Sequence, residues 1–414
     1  MNSAQPNIYH IVFDGFTSLV FLRALKDLNA FEAFNGFTFF KNNRANYNDT
    51  VASLPSLSTG TFYEKGPFQH WKSRKFTSGI FMEMHENGYQ LNLYTQNEKD
   101  SFENATNQKF YADLLNHYTP YAPNALKTLK FYNYFADNRL SERIGKGARL
   151  VLSKCMKPFN IQMSSDNGFP SFPVDRFILS ENVLALPMML EFIRSEKTNP
   201  ASGQYNFAHL MLPHIPVNWT RSFTAADDGS GYVEQVYCAI NLMGLLINEL
   251  KQRGRFNDSM IIFHSDHGWS GVDFEYPHTH EIPEPVLDKI QAITHHHPSR
   301  FLHRSHSLLL IKPPGSDSIR PLEISDKLTQ LADIPATISH LTARNTRWPV
   351  GLPVFSDSWD NNREVHLFAG LHRHNKLGLK CDFGKHFLKG RLAHVSLNPE
   401  NEWKIYPDLP ISWR

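Results

Sequence analysis

The chain has 414 residues, and 42 lysines and arginines nearly balance 40 aspartates and glutamates, so the formal net charge is +2. Hydrophobic residues make up 41% and charged residues 20% of it, which is typical of a globular protein and excludes a disordered or fibrous one. The balanced charge argues against nucleic acid as a partner. Three widely spaced cysteines (Cys155, Cys238 and Cys381) indicate neither a disulfide framework nor a CxxC metal site.

The N-terminal segment MNSAQPNIYHIVFDG has neither a basic start nor a long apolar stretch, and no run of about 18 apolar residues occurs later. We therefore expect no signal peptide and no transmembrane helix. As given, the sequence predicts a cytoplasmic protein. A periplasmic or extracellular location is the alternative if the chain is a processed or excised domain.

Strands and helices alternate along the chain. Residues 7–13 (NIYHIVF) form a short apolar run rich in β-branched residues, which predicts a buried parallel strand. The predicted elements that follow are a helix over 17–34, a helix over 77–87, a strand over 89–95, a helix over 177–196, a strand over 205–212, a helix over 232–253 and a strand over 259–263. This alternation predicts an α/β fold, doubly wound, with a mostly parallel sheet flanked by helices.

Two regions depart from this pattern. Residues 98–173 are rich in Asn, Tyr, Phe and Lys and show little periodicity, so we interpret them as a helical insertion or lid. The segments VHLFAG, KHFLKG, LAHVSL and EWKIYP after residue 364 are typical of short antiparallel strands. The sequence therefore predicts a large α/β domain over 1–355 and a small C-terminal β subdomain over 356–414.

Acidic residues follow two of the predicted strands. Asp14 comes directly after the first strand, and Asp266 and His267 follow the strand over 259–263. Open α/β sheets bind ligands at the carboxyl ends of their strands, where the two loops can meet. Each residue alone is more often found in an ordinary turn. Together they predict a site for a divalent cation, with oxygen and nitrogen ligands.

Several motifs in this order resemble the alkaline phosphatase superfamily, in its sulfatase-like branch with the lipoteichoic acid synthases and lipid A phosphoethanolamine transferases. They are IVFDG and SDHG at the two strand ends, HLMLPHIP over 209–216, LADIPAT over 331–337 and GLP over 351–353. The resemblance covers residues 6–95 and 177–355. It implies a metal-dependent phosphoester hydrolase or phosphotransferase that acts on a small-molecule, glycan-linked or lipid-linked phosphoester. Zn²⁺ or Mn²⁺ suits the mixed ligands better than Ca²⁺.

The nucleophile that the resemblance implies is Thr50. The run TVASLPS is similar to the T-x-x-S-x-P segment of the phosphoethanolamine transferases, and Thr50 lies ten residues before Gly60. The segment that starts at Ser53 partly matches the sulfatase motif C/S-x-P-S-R, but Leu57 stands where that motif has Arg. Threonine cannot be oxidised to formylglycine, whereas its alkoxide can attack phosphorus and form a phospho-enzyme. A helix N-cap is the structural alternative for Thr50.

Histidines supply the remaining candidates. Thr50, His214 and His306 are the predicted catalytic residues, and Asp14, Thr50, Asp266 and His267 are the predicted metal ligands. His214 and His306 could contact phosphoryl oxygens or protonate the leaving group, or have a structural role only. The other histidines, including His209, His264 and the run over 295–297, rank below them. A sulfatase, and a binding or regulatory protein that has lost turnover, remain alternatives for the whole chain.

Overall fold

The structure is a computed structural model. It describes residues 5–96, 101–111, 113, 162–163, 170–171, 184–196, 202–215, 217–224, 226, 231–270, 282–294, 298–344, 346–357, 359–360, 362–369, 389–400 and 402–412. Element labels are numbered over these residues.

The described helices and strands alternate through most of the chain. The strands are β1 (Ile8–Phe13), β2 (Thr38–Phe40), β3 (Gln90–Thr95), β4 (Asn107–Phe110), β5 (Gln162–Met163), β6 (Pro170–Ser171), β7 (Gln204–Leu210), β8 (Met260–His264), β9 (Leu309–Lys312), β10 (Glu323–Ser325), β11 (Val365–Ala369), β12 (Lys389–Leu397) and β13 (Trp403–Ser412). The α-helices are α1 (Phe21–Asp27), α2 (Thr50–Thr59), α3 (Phe68–Ser73), α4 (Ile80–Glu86), α5 (Ala185–Ser195), α6 (Tyr232–Gln252), α7 (Glu284–Thr294), α8 (Pro298–Ser305) and α9 (Asp333–Leu341).

Eight strands form one sheet in the order β10-β2-β9-β8-β1-β7-β3-β4. Strand β9 runs antiparallel to β8 and β2, and every other neighbouring pair in this sheet is parallel. The predicted mostly parallel sheet is therefore confirmed. Among the described residues, no helix is both long enough and apolar enough to cross a membrane.

Strand β1 is buried along its whole length because helices cover both faces of the sheet. Tyr9, Ile11 and Phe13 pack on one face with apolar residues of α1, α5 and α6. Ile8 and Val12 pack on the other face with residues of α2, α4 and α9. The sheet is thus doubly wound, as the alternating sequence pattern predicts, and α6 covers it as expected.

Two predicted helices are shorter in the structure. The predicted helix over 17–34 divides into α1 and two 3₁₀ turns, Ser18–Val20 and Phe31–Phe34. Asn29, with φ of 50°, separates α1 from the second turn. The predicted helix over 77–87 begins only at α4, after Gly79. A Cβ on Gly79 would lie 2.1 Å from the Ser58 carbonyl oxygen, so the backbone approach there requires glycine.

The predicted insertion over 98–173 lies largely outside the described residues. Its described part contains β4, which pairs in parallel with β3 at the edge of the main sheet, so the helical prediction is wrong there. The predicted helix over 177–196 is described only from residue 184, and α5 lies within that part.

The C-terminal strands form a separate antiparallel sheet in the order β11-β12-β13. Two predicted segments, KHFLKG and LAHVSL, meet in the single strand β12, which has an irregular register between Leu392 and His394. Residues 385–388 lie outside the described ones. The sheet contacts the chain just before α2: Phe368 N–H donates to the Asn46 carbonyl at 2.8 Å, and its ring stacks on Tyr47. A domain boundary near residue 355 remains our proposal.

Candidate active site

The order of the strands brings the predicted acidic residues together. Strand β1 lies between β7 and β8, and Val12 pairs with His209 on one side and His264 on the other. Asp14, His209 and Asp266 therefore emerge at the same edge of the sheet. One ligand atom from each of these three buried residues lies within 4.8 Å of the other two.

Each of the two carboxylates has one oxygen in a hydrogen bond and one without such a bond. Asp266 Oδ1 accepts from the backbone N–H groups of Gly15 at 3.1 Å and His267 at 2.9 Å. Asp14 Oδ2 lies 3.3 Å from His209 Nε2. Among the described residues, Asp14 Oδ1 and Asp266 Oδ2 are buried and make no hydrogen bond. Buried carboxylate oxygens are costly unless something compensates them, so a divalent cation fits this set of donors.

The two carboxyl groups titrate differently. Burial, and then the charge of Asp14, raise the pKa of Asp266 to about 7. Burial opposes ionisation of Asp14 as well, but the neighbouring imidazoles, first of them His214, outweigh it and hold the pKa of Asp14 well below its usual range. Without a cation, Asp266 therefore titrates around neutral pH, whereas Asp14 stays ionised.

His267 presents a lone pair to the site. Its Nδ1 lies 2.8 Å from the Gly268 carbonyl oxygen, which assigns the ring proton to Nδ1 and leaves Nε2 as an acceptor. Nε2 lies 3.7 Å from Asp14 Oδ1 and 3.6 Å from Asp266 Oδ2. Burial, and then the Arg304 guanidinium, lower the pKa of His267 to about 3. The ring is therefore neutral, the form in which imidazole binds a metal.

Thr50 begins helix α2 and faces the same point. Its hydroxyl donates to Asp14 Oδ2 at 3.2 Å and lies 3.3 Å from His267 Nε2. Asp49 is the N-cap of α2, because its carboxylate accepts from the Val51 N–H at 3.1 Å. The alternative of Thr50 as the N-cap is therefore wrong, and the Thr50 hydroxyl is left to the site.

The two predicted catalytic histidines occupy different places. His214 Nε2 lies 3.9 Å from Asp14 Oδ1, and the His214 side chain is 27% exposed, at the solvent side of the centre. His306 is buried, and both nitrogens of its ring lie beside the guanidinium of Arg44. The structure thus brings together Asp14, Thr50, Asp266 and His267, with His214 beside them. His306 instead lies against Arg44.

Two residues of the centre were ranked low or missed in the sequence. His209 lies at the last position but one of β7, and only the adjacency of β7 to β1 distinguishes it from other strand histidines. Arg304 is at the end of α8, and its Nη2 donates to His267 Nε2 at 3.0 Å. No local motif marks Arg304, because its position depends on the packing of α8 beside the loop after β8.

The other low-ranked histidines divide into two groups. His264 is fully buried and lies 2.7 Å, nitrogen to nitrogen, from His10, so it has an internal contact, as its low rank predicts. His278, His280 and the run over 295–297 lie outside the described residues.

The chain is similar to known proteins in sequence pattern and in fold. A family model described as Sulfatase matches residues 22–343. No curated protein matches the sequence. A protein in the alkaline phosphatase superfamily from Vibrio parahaemolyticus has a similar structure, with a TM-score of 0.51 and 11% identity over 98% of this chain and 83% of that one.

Two further solved structures are similar. A protein in complex with its substrate D-glucosamine-2-N,6-O-disulfate has a TM-score of 0.50 and 11% identity, over 97% of this chain and 91% of that one. The C-terminal periplasmic domain of EptC from Escherichia coli, in complex with Zn, has a TM-score of 0.45 and 13% identity, over 86% of this chain and 89% of that one. At such identities, the Vibrio protein and the sugar-sulfate complex indicate a shared fold alone.

Proposed function

The chain belongs to the sulfatase family of metal-dependent hydrolases and transferases of sulfate or phosphate esters, and on that premise we propose that it acts on phosphoesters with Thr50 as its nucleophile. The observation that carries the proposal is the position of the Thr50 hydroxyl, 3.2 Å from Asp14 Oδ2 and 3.3 Å from His267 Nε2. Because Asp49 is the N-cap of α2, the Thr50 hydroxyl is not used to cap its own helix.

The residue type favours phosphorus over sulfur. Sulfate ester hydrolysis in the family uses formylglycine, which forms from Cys or Ser and not from threonine. Ser53, the other hydroxyl of this segment, donates to the Asp266 carbonyl oxygen at 2.5 Å and so is engaged away from the centre. A threonine oxygen can still form a phosphoester and release it again.

Asp14, Asp266, His267 and Thr50 would hold the divalent cation, and His209 lies beside them. When bound, the cation supplies positive charge that favours the ionised Thr50 hydroxyl and offsets charge on the phosphoryl oxygens. The mixture of carboxylate, imidazole and hydroxyl ligands favours Zn²⁺ or Mn²⁺ over Ca²⁺, which prefers oxygen ligands only.

The chain's own groups then account for a two-step displacement. Thr50 Oγ1 forms a bond to phosphorus and gives up its proton at Asp14 Oδ2, while the bond from phosphorus to the leaving alcohol breaks. His214, at the solvent side, gives a proton to the departing oxygen. Water or an acceptor hydroxyl then attacks phosphorus and gives its proton to His214, the Thr50–phosphorus bond breaks, and Thr50 Oγ1 takes its proton back from Asp14 Oδ2. The configuration at phosphorus is retained overall.

Substitution of Thr50 tests this function. Thr50→Ala should abolish turnover of nitrophenyl phosphodiesters and keep the cation, because the hydroxyl is one ligand among several. Thr50→Ser, which keeps the hydroxyl, is the matched control and should keep measurable turnover. Acid-quenched wild type should carry a phosphoryl group on Thr50 by peptide mass spectrometry.

Three outcomes would contradict the proposal. Full turnover by Thr50→Ala would exclude Thr50 as the nucleophile. Equal turnover of aryl sulfates and aryl phosphates by the wild type would support a sulfatase instead. A folded, cation-bound protein that turns over neither ester would support a binding or regulatory member of the family.

A further inference from the structure

We infer that Ser53 is a positioning residue, which ties helix α2 to the peptide that joins Asp266 and His267 and thereby sets the place of Thr50. The inference deepens the proposed function and rests on Thr50 being the nucleophile. Ser53 would act on the reaction only through the position of Thr50 and would not contact the substrate.

The contact of Ser53 joins two distant parts of the chain. Ser53 lies in the same face of α2 as Thr50, three residues later, and its side chain is buried. Its hydroxyl donates to the Asp266 carbonyl oxygen at 2.5 Å, 213 residues away in sequence, and lies 3.4 Å from the Tyr47 carbonyl oxygen. One hydroxyl thus connects the nucleophile's helix with the backbone between two candidate metal ligands.

This bond differs from those of Ser58 and Thr59 near the end of α2. Serine and threonine inside a helix commonly bond back to a carbonyl three or four residues earlier. Thr59 and Ser58 do this, donating to the Pro55 carbonyl oxygen at 2.7 and 3.2 Å. Ser53 instead donates to the loop after β8, so its hydrogen bond depends on how α2 packs against that loop.

The first turn of α2 depends on such a bond because of Pro55. Proline has no N–H, so the Val51 carbonyl lacks the helical donor that residue 55 would otherwise supply. The turn that carries Thr50 is therefore held less firmly by its own helix. The Asp49 cap stabilises the start of this turn, and the bond from Ser53 to the Asp266 carbonyl oxygen anchors its end.

Small displacements of a nucleophile have large kinetic effects. A shift of about 1 Å from the attacking geometry can lower the rate roughly 100-fold. Loss of the Ser53 bond frees α2 to move relative to His267, whose Nε2 is 3.3 Å from the Thr50 hydroxyl. The expected effect therefore falls on the chemical step and leaves substrate binding nearly unchanged.

Ser56 provides a matched control in the same helix. Ser53 and Ser56 are each 1% exposed, but the Ser56 hydroxyl makes no hydrogen bond with any described residue. In the full chain with Zn²⁺ or Mn²⁺, Ser53→Ala should lower kcat for a nitrophenyl phosphodiester about 10- to 100-fold, with KM within about twofold. Ser56→Ala should leave both constants within about twofold. A crystal structure of Ser53→Ala should show a longer distance from Thr50 Oγ1 to His267 Nε2.

The outcomes separate this inference from the proposed function. Equal kcat for Ser53→Ala and Ser56→Ala, or an unchanged distance from Thr50 to His267, would overturn the positioning role. Loss of turnover in Thr50→Ala together with full activity in Ser53→Ala would refute the positioning role alone. Full activity in Thr50→Ala would refute the proposed function. If Ser53→Ala does not fold, Ser53→Cys, with similar volume and only a weak donor, takes its place under the same criteria.

Discussion

Removal of the divalent cation should destabilise the folded protein as well as stop turnover. The site exists only when the sheet is assembled, because Asp14 and Asp266 come from strand ends about 250 residues apart and meet at the carboxyl ends of β1 and β8. The unfolded chain lacks this arrangement, so the proposed cation should bind the folded state and stabilise it by mass action.

The size of the effect follows from the binding equation and the chain length. A cation at 100 times its Kd stabilises the folded state by about 2.7 kcal/mol. An unfolding entropy of about 2.1 cal/mol/K per residue, applied to 414 residues, amounts to about 0.87 kcal/mol/K. The ratio of the two predicts that chelation lowers the melting temperature by about 3 °C.

Differential scanning calorimetry with and without a chelator, beside elemental analysis of the protein, measures this directly. Asp266→Asn removes the charge and keeps the shape, so it should bind no cation. Its melting temperature should be near that of the chelated wild type and should not change when the chelator is added. Asp326→Asn is the matched control, because Asp326 is exposed on the surface and pairs with Lys41. It should keep the full response to chelation.

An unchanged melting temperature and full turnover after exhaustive chelation, with no metal found by elemental analysis, would refute the site. A chelator response that persists in Asp266→Asn would place the cation elsewhere in the chain.

Two further predictions concern pH and the core. A proton competes with the cation for Asp266, whose pKa is raised to about 7, so cation affinity by isothermal titration should fall roughly tenfold per pH unit below 7; equal affinity at acidic and alkaline pH would contradict this. Because a raised carboxyl pKa stabilises the protonated folded state, the stability of the chelated wild type relative to chelated Asp266→Asn should fall as pH rises from about 4 to 7. Asp333→Asn should cost about 3 kcal/mol in urea unfolding, because it leaves the Arg363 guanidinium buried without its carboxylate. A loss below about 1 kcal/mol would show that Arg363 finds another partner.

The sequence by itself determined the main strands and the residues at their ends. The apolar runs of β1 and β8 are long enough to require burial on both faces, and such strands occur in parallel sheets covered by helices. Because ligands bind at the carboxyl ends of these strands, Asp14, Asp266 and His267 could be named before their distances were known. The structure brings these three residues together, as the sequence predicted.

Local patterns failed where the tertiary surroundings decide the backbone. The residues of β4 are polar or half-buried at the sheet edge, so they lack the apolar signature of a strand, and only pairing with β3 makes them one. The region over 17–34 has enough apolar residues for one helix, but the packing of Phe21, Phe34 and Phe37 against one another favours separate turns.

Only the tertiary structure decided how the centre is completed. His209 joins Asp14 because β7 is the neighbour of β1, and strand order depends on contacts between residues about 200 positions apart. The Thr50 hydroxyl contacts Asp14 and does not cap its own helix because Asp49 takes the capping bond, a choice between adjacent residues that their types leave open. Ser53 reaches the carbonyl of Asp266 across 213 residues of sequence. A local pattern encodes the propensity of each segment, whereas these bonds arise from the free energy of packing distant segments into one sheet.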